Sequence, residues 1–495
     1  MISAALHPTI HCLDQRIDAA AFHDRIRRSA SVLRSAGIRE GDPVALLLPD
    51  GPEALEVMLA ARWLGALWCP INWHFKRAEV EYILADSGAR VLVADAGLLD
   101  ALPGLALDGR TVLVSGGADD RWAQLRDAAA PIGGEPRAPR GAMFYTSGTT
   151  GRPKGILRAA STPEQAARGL EVLRHVLGFE PGMRALVSAP MYHSAPNSYS
   201  IGASLDSATL FIERRFDAER TLQLIHEHRL THAYLVPTMY VRMLALPEAV
   251  RARYDLRSMR FVASTGSPCP PHVKRAMIEW WGPVIHEAYG ASELGYMTRL
   301  DSVEALRKPG SAGRPLPGVT MAILDDEGRR LPQGEAGLIY VQQPAFADFS
   351  YIGNPDARRA IERDGMKTLG DVGYLDEDGY LFIVDRAADL VISGGVNIYP
   401  AEIEAVLQGM SGVADCAVFG IPDEEFGEAL AAAVQCRDGE TLDADAVRAF
   451  LKDRLAGYKV PRVVTFHAQL PREDSGKIFK RLLREPYWAG RSRRV

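Results

Sequence analysis

The sequence predicts an α/β protein with more than one domain, and three observations predict it. Apolar runs of strand length alternate with stretches of helical periodicity through the first half. The segment from Ser311 to Gly337 is rich in Gly and Pro and carries hairpin signals. Residues 386–495 hold helices and strands of their own. Strands alternating with helices imply parallel sheets covered on both faces. The turn-rich middle implies an antiparallel section.

Ala19 to Ala36 places Phe22, Ile26, Ala30, Val32 and Leu33 at helical spacing, and Gly37 stops the pattern. Pro43 to Pro49 brackets the strand-length run Val44–Leu48. Helices are expected at Ala54–Leu64 and Glu79–Ser87, and a strand at Ala89–Ala94. Further strands are expected at Arg184–Ser188, Ala233–Val236, Arg260–Ala263, Thr320–Leu324 and Gly337–Val341. Asp325-Asp326-Glu327-Gly328 and Asp376-Glu377-Asp378-Gly379-Tyr380 read as turns, the second leading into the strand Leu381–Val384. A domain boundary is expected at Asp385-Arg386. Beyond it, helices at Pro400–Gln408 and Ala444–Leu455 and strands at Ala414–Gly420 and Leu430–Cys436 suffice for a small α+β domain.

The chain has 495 residues, 47% hydrophobic and 24% charged, which excludes disorder and collagen-like classes. A net charge of −5 gives no reason to expect a nucleic-acid partner or an anionic membrane. Five scattered cysteines without a C-x-x-C pair fit free thiols in a reducing compartment. No apolar stretch is long enough for a membrane span, and no leader or sorting signal is expected, so the expected location is cytoplasmic. His226, His228 and His232 do not follow H-E-x-x-H spacing, and no metal is expected there.

The most informative stretch is Phe144-Tyr145-Thr146-Ser147-Gly148-Thr149-Thr150-Gly151-Arg152-Pro153-Lys154-Gly155. Glycines let backbone N–H groups turn toward an anion, hydroxyls add donors and a lysine adds charge. This suits a polyphosphate. The string is not the P-loop pattern, because Arg152-Pro153 separate the glycine from the lysine.

The string resembles the signature loop of the adenylate-forming superfamily, which includes acyl-CoA synthetases and aryl-CoA ligases. Further motifs come in that family's order. Met191-Tyr192-His193-Ser194 resembles its aromatic-histidine motif, and Ser264-Thr265-Gly266-Ser267-Pro268 its adenine-site loop. Glu287-Ala288-Tyr289-Gly290-Ala291-Ser292-Glu293 resembles its Tyr-Gly-x-Thr-Glu element, with Ser292 in place of Thr. Thr368-Leu369-Gly370-Asp371 matches the ribose-binding aspartate motif. Asp385-Arg386 matches the hinge, and Ile392 to Pro400 the loop after it. Pro471 to Ile478 matches the C-terminal lysine motif.

The resemblance implies a large N-terminal domain (1–385) of stacked mixed or parallel sheets with helices plus a small β-barrel-like part. It also implies a small mobile α+β C-terminal domain (386–495). ATP, Mg²⁺ and coenzyme A are the implied cofactors, and a carboxylic acid is joined to the thiol through an acyl-AMP. Lys477 is then the cation between the carboxylate and the α-phosphate, and Glu293 holds Mg²⁺ with Thr146. Thr146, Ser147, Gly148, Thr149, Thr150 and Lys154 line the pyrophosphate end. Gly266, Ser267, Pro268, Glu287, Ala288, Tyr289, Gly290 and Ser292 surround the nucleotide. Asp371 accepts the ribose hydroxyls, and Arg386 contacts ribose or phosphate and marks the pivot. Rotation of the small domain exchanges Lys477 for Gly394-Gly395, past which a pantetheine arm runs. The family's polar hinge position is Ala388 here. His193 has two open readings, a group between acyl site and thiol or a structural histidine.

The implied acid pocket is lined by Tyr192, Ser194, Ala195, Asn197, Ser198, Ser264, Gly266, Gly290 and Ala291, mostly small. An apolar fatty or aryl-alkanoic monocarboxylic acid is therefore expected. Two alternatives stand beside the CoA ligase: a freestanding enzyme that loads an acyl carrier protein, and a catalytically silent nucleotide-binding relative. The sequence admits a homodimer without pointing to one.

Overall fold

The apolar run between the two prolines is the strand Pro43–Leu47, and Val44, Ala45, Leu46 and Leu47 are all buried. A helix-covered parallel strand is shielded on both faces, so it has no polar alternation. It pairs in parallel with Leu67–Pro70 and Val91–Asp95, and Val91–Asp95 pairs in parallel with Thr111–Ser115. The computed structural model describes residues 7–13, 15–146, 153–387, 389–393, 396–472 and 478–489. By internal contact it divides into Met1–Val319 with Gln343–Glu362, and Thr320–Gln342 with Arg363–Val495.

In the first unit, the helix Ala19–Ser35 is capped by Asp18, whose carboxylate accepts from Ala21 N–H at 2.9 Å. The helix buries Phe22, Ile26, Ala30 and Leu33. The next helix, Pro52–Trp63, carries a fully buried Glu56. A buried carboxylate needs partners. Arg25 Nε (2.7 Å), Trp122 Nε1 (3.2 Å) and Arg126 Nη1 (3.4 Å) supply them, tying three helices together.

A seven-stranded sheet runs in the order Ile285–Glu287, Phe261–Ser264, His232–Tyr234, Met183–Val187, Ser207–Ile212, Thr9–Cys12, Gln15–Ile17. All pairs are parallel except the last. The loops after Met183–Val187, Phe261–Ser264 and Ile285–Glu287 leave the carboxyl ends of strands in one sheet, where ligands of open α/β sheets bind. A three-stranded antiparallel sheet, Phe349–Tyr351, Lys154–Arg158, Phe144–Thr146, completes the unit.

In the second unit, Thr320–Leu324 and Gly337–Gln342 are antiparallel in full register, as the turn-rich sequence predicts. They belong to a six-stranded sheet that also holds the hairpin Asp371–Leu375/Leu381–Arg386. The C-terminal fold pairs Val413–Asp423 with Gly427–Cys436 and covers them with Pro400–Leu407 and Ala444–Lys452. Val391, Ile403, Leu407, Val418, Val434 and Leu451 form its core. The two units do not follow a single cut at 385. The hairpin before that point groups with the C-terminal segment, and Asp385 Oδ2 accepts from Ala401 N–H at 2.9 Å, at the start of the helix Pro400–Leu407.

All five cysteines are free, and four of them are buried. No helix among the described residues is long and apolar enough to cross a membrane.

Candidate active site

Phe144–Thr146 and Lys154–Arg158 lie antiparallel with Thr146 opposite Lys154. The two ends of the Gly/Ser/Thr segment are thus held side by side. Ser147, Gly148, Thr149 and Thr150 lie outside the described residues. Gly155 is closely packed: a Cβ there would stand 2.6 Å from Ile352 Cδ1 and 2.9 Å from Tyr145 Cζ, so these side chains would have to shift. On the neighbouring strand, the ring of Tyr351 lies 5.2 Å from Lys154 Nζ.

Glu287 to Leu300 doubles back on itself. Glu287 bridges Leu300, Gly290 pairs with Tyr296, and Ala291 pairs with Gly295. Ser292-Glu293-Leu294 is therefore the tip of a hairpin, and Gly295 turns the chain with φ +75°. The half-buried Arg158 guanidinium donates from Nη2 to the carbonyls of Ser292 (2.8 Å) and Glu293 (2.9 Å), and from Nη1 to that of Ala347 (2.9 Å). Glu293 Oε1 accepts from Thr146 Oγ1 at 3.4 Å and from Tyr351 OH at 3.3 Å. The carboxylate and hydroxyls form a hard oxygen set of the kind that fits Mg²⁺ alongside phosphate oxygens.

The adenine-site segment leaves the strand Phe261–Ser264 with Gly266 at φ +97°. Ala288 N–H donates to Ser264 O at 3.0 Å, so this segment and the Glu293 hairpin are laced together. Ser267 is half-buried and Pro268 exposed, and Tyr289 and Gly290 are half-buried. Glu287 differs from its neighbours. Its carboxylate is ion-paired with the buried Lys274 ammonium at 2.5 Å. Burial pushes the Glu287 carboxyl up, and Lys274 opposes the shift.

The aromatic-histidine motif spans the turn from Met183–Val187 to the helix Ser194–Asp206, with His193 at the helix N-cap and its ring 4.5 Å from that of Tyr192. Ser194 Oγ shares a 2.7 Å hydrogen bond with Ser292 Oγ. The acid motif and the Glu293 hairpin are therefore in direct contact. Asn197 is buried and committed to the framework. Its Nδ2 donates to Met191 O at 2.7 Å, and its Oδ1 accepts from Trp68 Nε1 at 3.0 Å. Ser264 is buried beneath its loop, and Ala291 is half-buried on the Glu293 hairpin.

In the second unit Asp371 pairs with Arg386 across the hairpin, with Arg386 Nε 3.2 Å from Asp371 Oδ1. Asp371 opens a strand rather than sitting in a turn. Its side chain is mostly buried, whereas that of Arg386 is exposed. Gly394, Gly395, Ala388 and Lys477 lie outside the described residues. The segment that holds Lys477 is flanked by a bridge from Arg472 to Ile478 and by the pair Lys480 Nζ–Glu404 Oε1 at 2.8 Å.

The tempting histidines are spent separately. His226 Nδ1 accepts from Asp255 N–H, His228 packs on Phe211, and His232 pairs with Thr231 Oγ1. Tyr351 and Arg158 are site residues that sequence reasoning missed. Neither stands in a motif, and only their strand pairing brings them to Glu293.

The model of the AMP-binding enzyme family matches residues 4–348, and that of the AMP-binding enzyme C-terminal domain matches residues 402–477. A feruloyl-CoA synthase of an Amycolatopsis species is 37% identical over 468 residues, covering 93% of this chain and 92% of that protein. A long-chain-fatty-acid–CoA ligase of Mycobacterium tuberculosis is 36% identical over 488 residues, covering 96% and 94%. The crystal structure of ATP-bound MatB from Rhodopseudomonas palustris superposes with a TM-score of 0.87 at 31% identity, covering 98% of this chain and 97% of that one.

Proposed function

Because the chain belongs to the AMP-binding enzyme family and is an AMP-forming ligase of the carbon–sulfur class, using ATP, Mg²⁺ and coenzyme A, we propose that its substrate is an apolar monocarboxylic acid, fatty or aryl-alkanoic. One observation carries this reading. The 2.7 Å bond between Ser194 and Ser292 joins the aromatic-histidine motif to the hairpin that presents Glu293. Acid and phosphate would meet across that contact. The relatives named for ferulate and for long-chain fatty acids support an apolar acid.

A carboxylate attacks the α-phosphate poorly, because two anions must approach and the developing charge needs fixed donors. Thr146 and Lys154 supply a hydroxyl and a cation at the phosphate end. Bound Mg²⁺ would offset charge on the phosphate oxygens, held by Glu293 with Thr146. Lys477 supplies the cation that holds carboxylate and α-phosphate in line. Asp371 takes the ribose hydroxyls, and Arg386 orients it. The mixed anhydride makes a good leaving group of AMP, which divides one hard step into two easier ones. The Gly394-Gly395 loop serves the thiol step, and His193 stands at the acid. In this reading the functional boundary lies at Asp385-Arg386, and free thiols fit a cytoplasmic site of action. A homodimer is compatible with it.

The test is acid-dependent pyrophosphate release from ATP and Mg²⁺ over fatty, cinnamic, benzoic and acetic acids, with and without coenzyme A. Release that rises with coenzyme A, with an acyl-CoA mass for an apolar acid, is expected. Turnover of acetate alone would overturn the pocket reading. Release unaffected by coenzyme A, with transfer to a holo-carrier, would replace the thiol. ATP binding without release for any acid would mark a silent relative.

A further inference from the structure

Ser188-Ala189-Pro190-Met191-Tyr192-His193 has no regular secondary structure, so its backbone groups need partners from elsewhere. Two buried carboxylates hold the segment, Asp50 through a backbone N–H and Glu213 through a side-chain hydroxyl. Asp50 lies between the strand Pro43–Leu47 and the helix Pro52–Trp63, in the other parallel sheet of the unit. Its Oδ1 accepts from Met191 N–H at 2.7 Å. It lines a small cavity with Leu46, Leu48, Met58, Ile71 and Tyr192. At the other end of the segment, Glu213 Oε2 accepts from Ser188 Oγ at 2.5 Å and from Thr221 Oγ1 at 2.8 Å. Between them, Asn197 holds Met191 O. The peptide before Tyr192 is thus gripped on both sides.

A carboxylate in an apolar cavity is costly to bury. The bond from Met191 N–H offsets part of that cost and ties the carboxylate to this one segment. We propose that Asp50 is a positioning residue for acid binding: through the Met191 N–H it sets where Tyr192 and His193 stand, with Glu213 fixing the other end of the segment through Ser188. The inference rests on the reading that Tyr192 and His193 face the acid.

The test compares Asp50→Ala, Asp50→Asn, Ser188→Ala and Tyr192→Ala in pyrophosphate release, with KM for acid and for ATP measured separately and folding followed by thermal melting. Loss of a hydrogen bond to a buried carboxylate is expected to raise KM for the acid about tenfold in Asp50→Ala, with KM for ATP within about twofold. Asp50→Asn keeps an acceptor and should restore KM for the acid to within about threefold of the parent. Ser188→Ala should raise it by about threefold, and it decides the matter if Asp50→Ala does not fold. Unchanged KM for the acid in Asp50→Ala and Ser188→Ala, or an equal rise in both KM values, overturns the inference. Tyr192→Ala separates the two levels. If it raises KM for the acid and Asp50→Ala does not, only the positioning role fails. If neither does, the acid-site reading fails.

Discussion

Tyr351 donates its phenolic hydroxyl to Glu293 Oε1 at 3.3 Å, onto the same oxygen that accepts from Thr146. Burial and the Glu293 carboxylate both push the tyrosine pKa up, so it stays a neutral donor. One strand edge thereby orients the carboxylate proposed to hold Mg²⁺, while Arg158 fixes the backbone beneath it.

Tyr351→Phe should leave the fold intact and raise KM for MgATP by about three- to tenfold, the worth of one ordinary hydrogen bond. KM for the acid should not move. A magnesium titration of pyrophosphate release checks it, and an unchanged titration curve would remove Tyr351 from the site.

Lys477→Ala should abolish most acid-dependent pyrophosphate release while sparing thioester formation from supplied acyl-AMP. The two half-reactions are measured separately. Equal loss in both would contradict the division of labour between Lys477 and the Gly394-Gly395 loop.

Lys274 and Glu287 form a buried ion pair whose halves depend on each other. Lys274→Met alone leaves an unpaired buried carboxylate and should cost about 3–5 kcal/mol. Lys274→Met with Glu287→Leu should recover most of that loss. Denaturant unfolding of Lys274→Met, Glu287→Leu and the double variant measures the coupling. An additive double variant would mean the pair is not coupled.

Burial pushes Asp50 and Glu213 up to about 7 from the ordinary carboxylate value. A carboxyl whose folded pKa is raised binds its proton more tightly in the folded state. Its contribution is therefore intact below the unfolded value and is lost as pH climbs from about 4 to about 7. Burial holds His7, His232 and His286 down at about 4, so these oppose folding as pH falls from 6.5 toward that value. Melting temperature should thus pass through a maximum in mildly acidic buffer, fall as pH climbs to about 7 and level off above it. Asp50→Asn should decline less over the same range. Parallel curves for parent and variant would show that Asp50 does not titrate there.

Much of the architecture was legible because it depends on local pattern. The run between Pro43 and Pro49 could only be a strand shielded on both faces, and Thr320–Leu324 with Gly337–Gln342 paired as their turns indicated. The domain cut was less legible. Asp385 looks like the end of one domain, but its hydrogen bond to Ala401 binds the preceding hairpin to the helix Pro400–Leu407. Asn197 is polar and is expected from the sequence to line the acid pocket, yet its amide is consumed by Trp68 and Met191.

The sequence by itself determined the order of elements, the turn-forming glycines and the chemical types at each motif, since these depend on dihedral preference, hydrophobic period and side-chain chemistry. Only the tertiary structure decided who holds whom. Met191 finds Asp50 across 141 residues of chain, Thr146 finds Glu293 across 147, and Ser194 finds Ser292 across 98. Nothing local to a serine or an aspartate encodes such a partner. It is chosen when sheets and loops pack and each buried polar group must be satisfied by whatever the packing brings within reach.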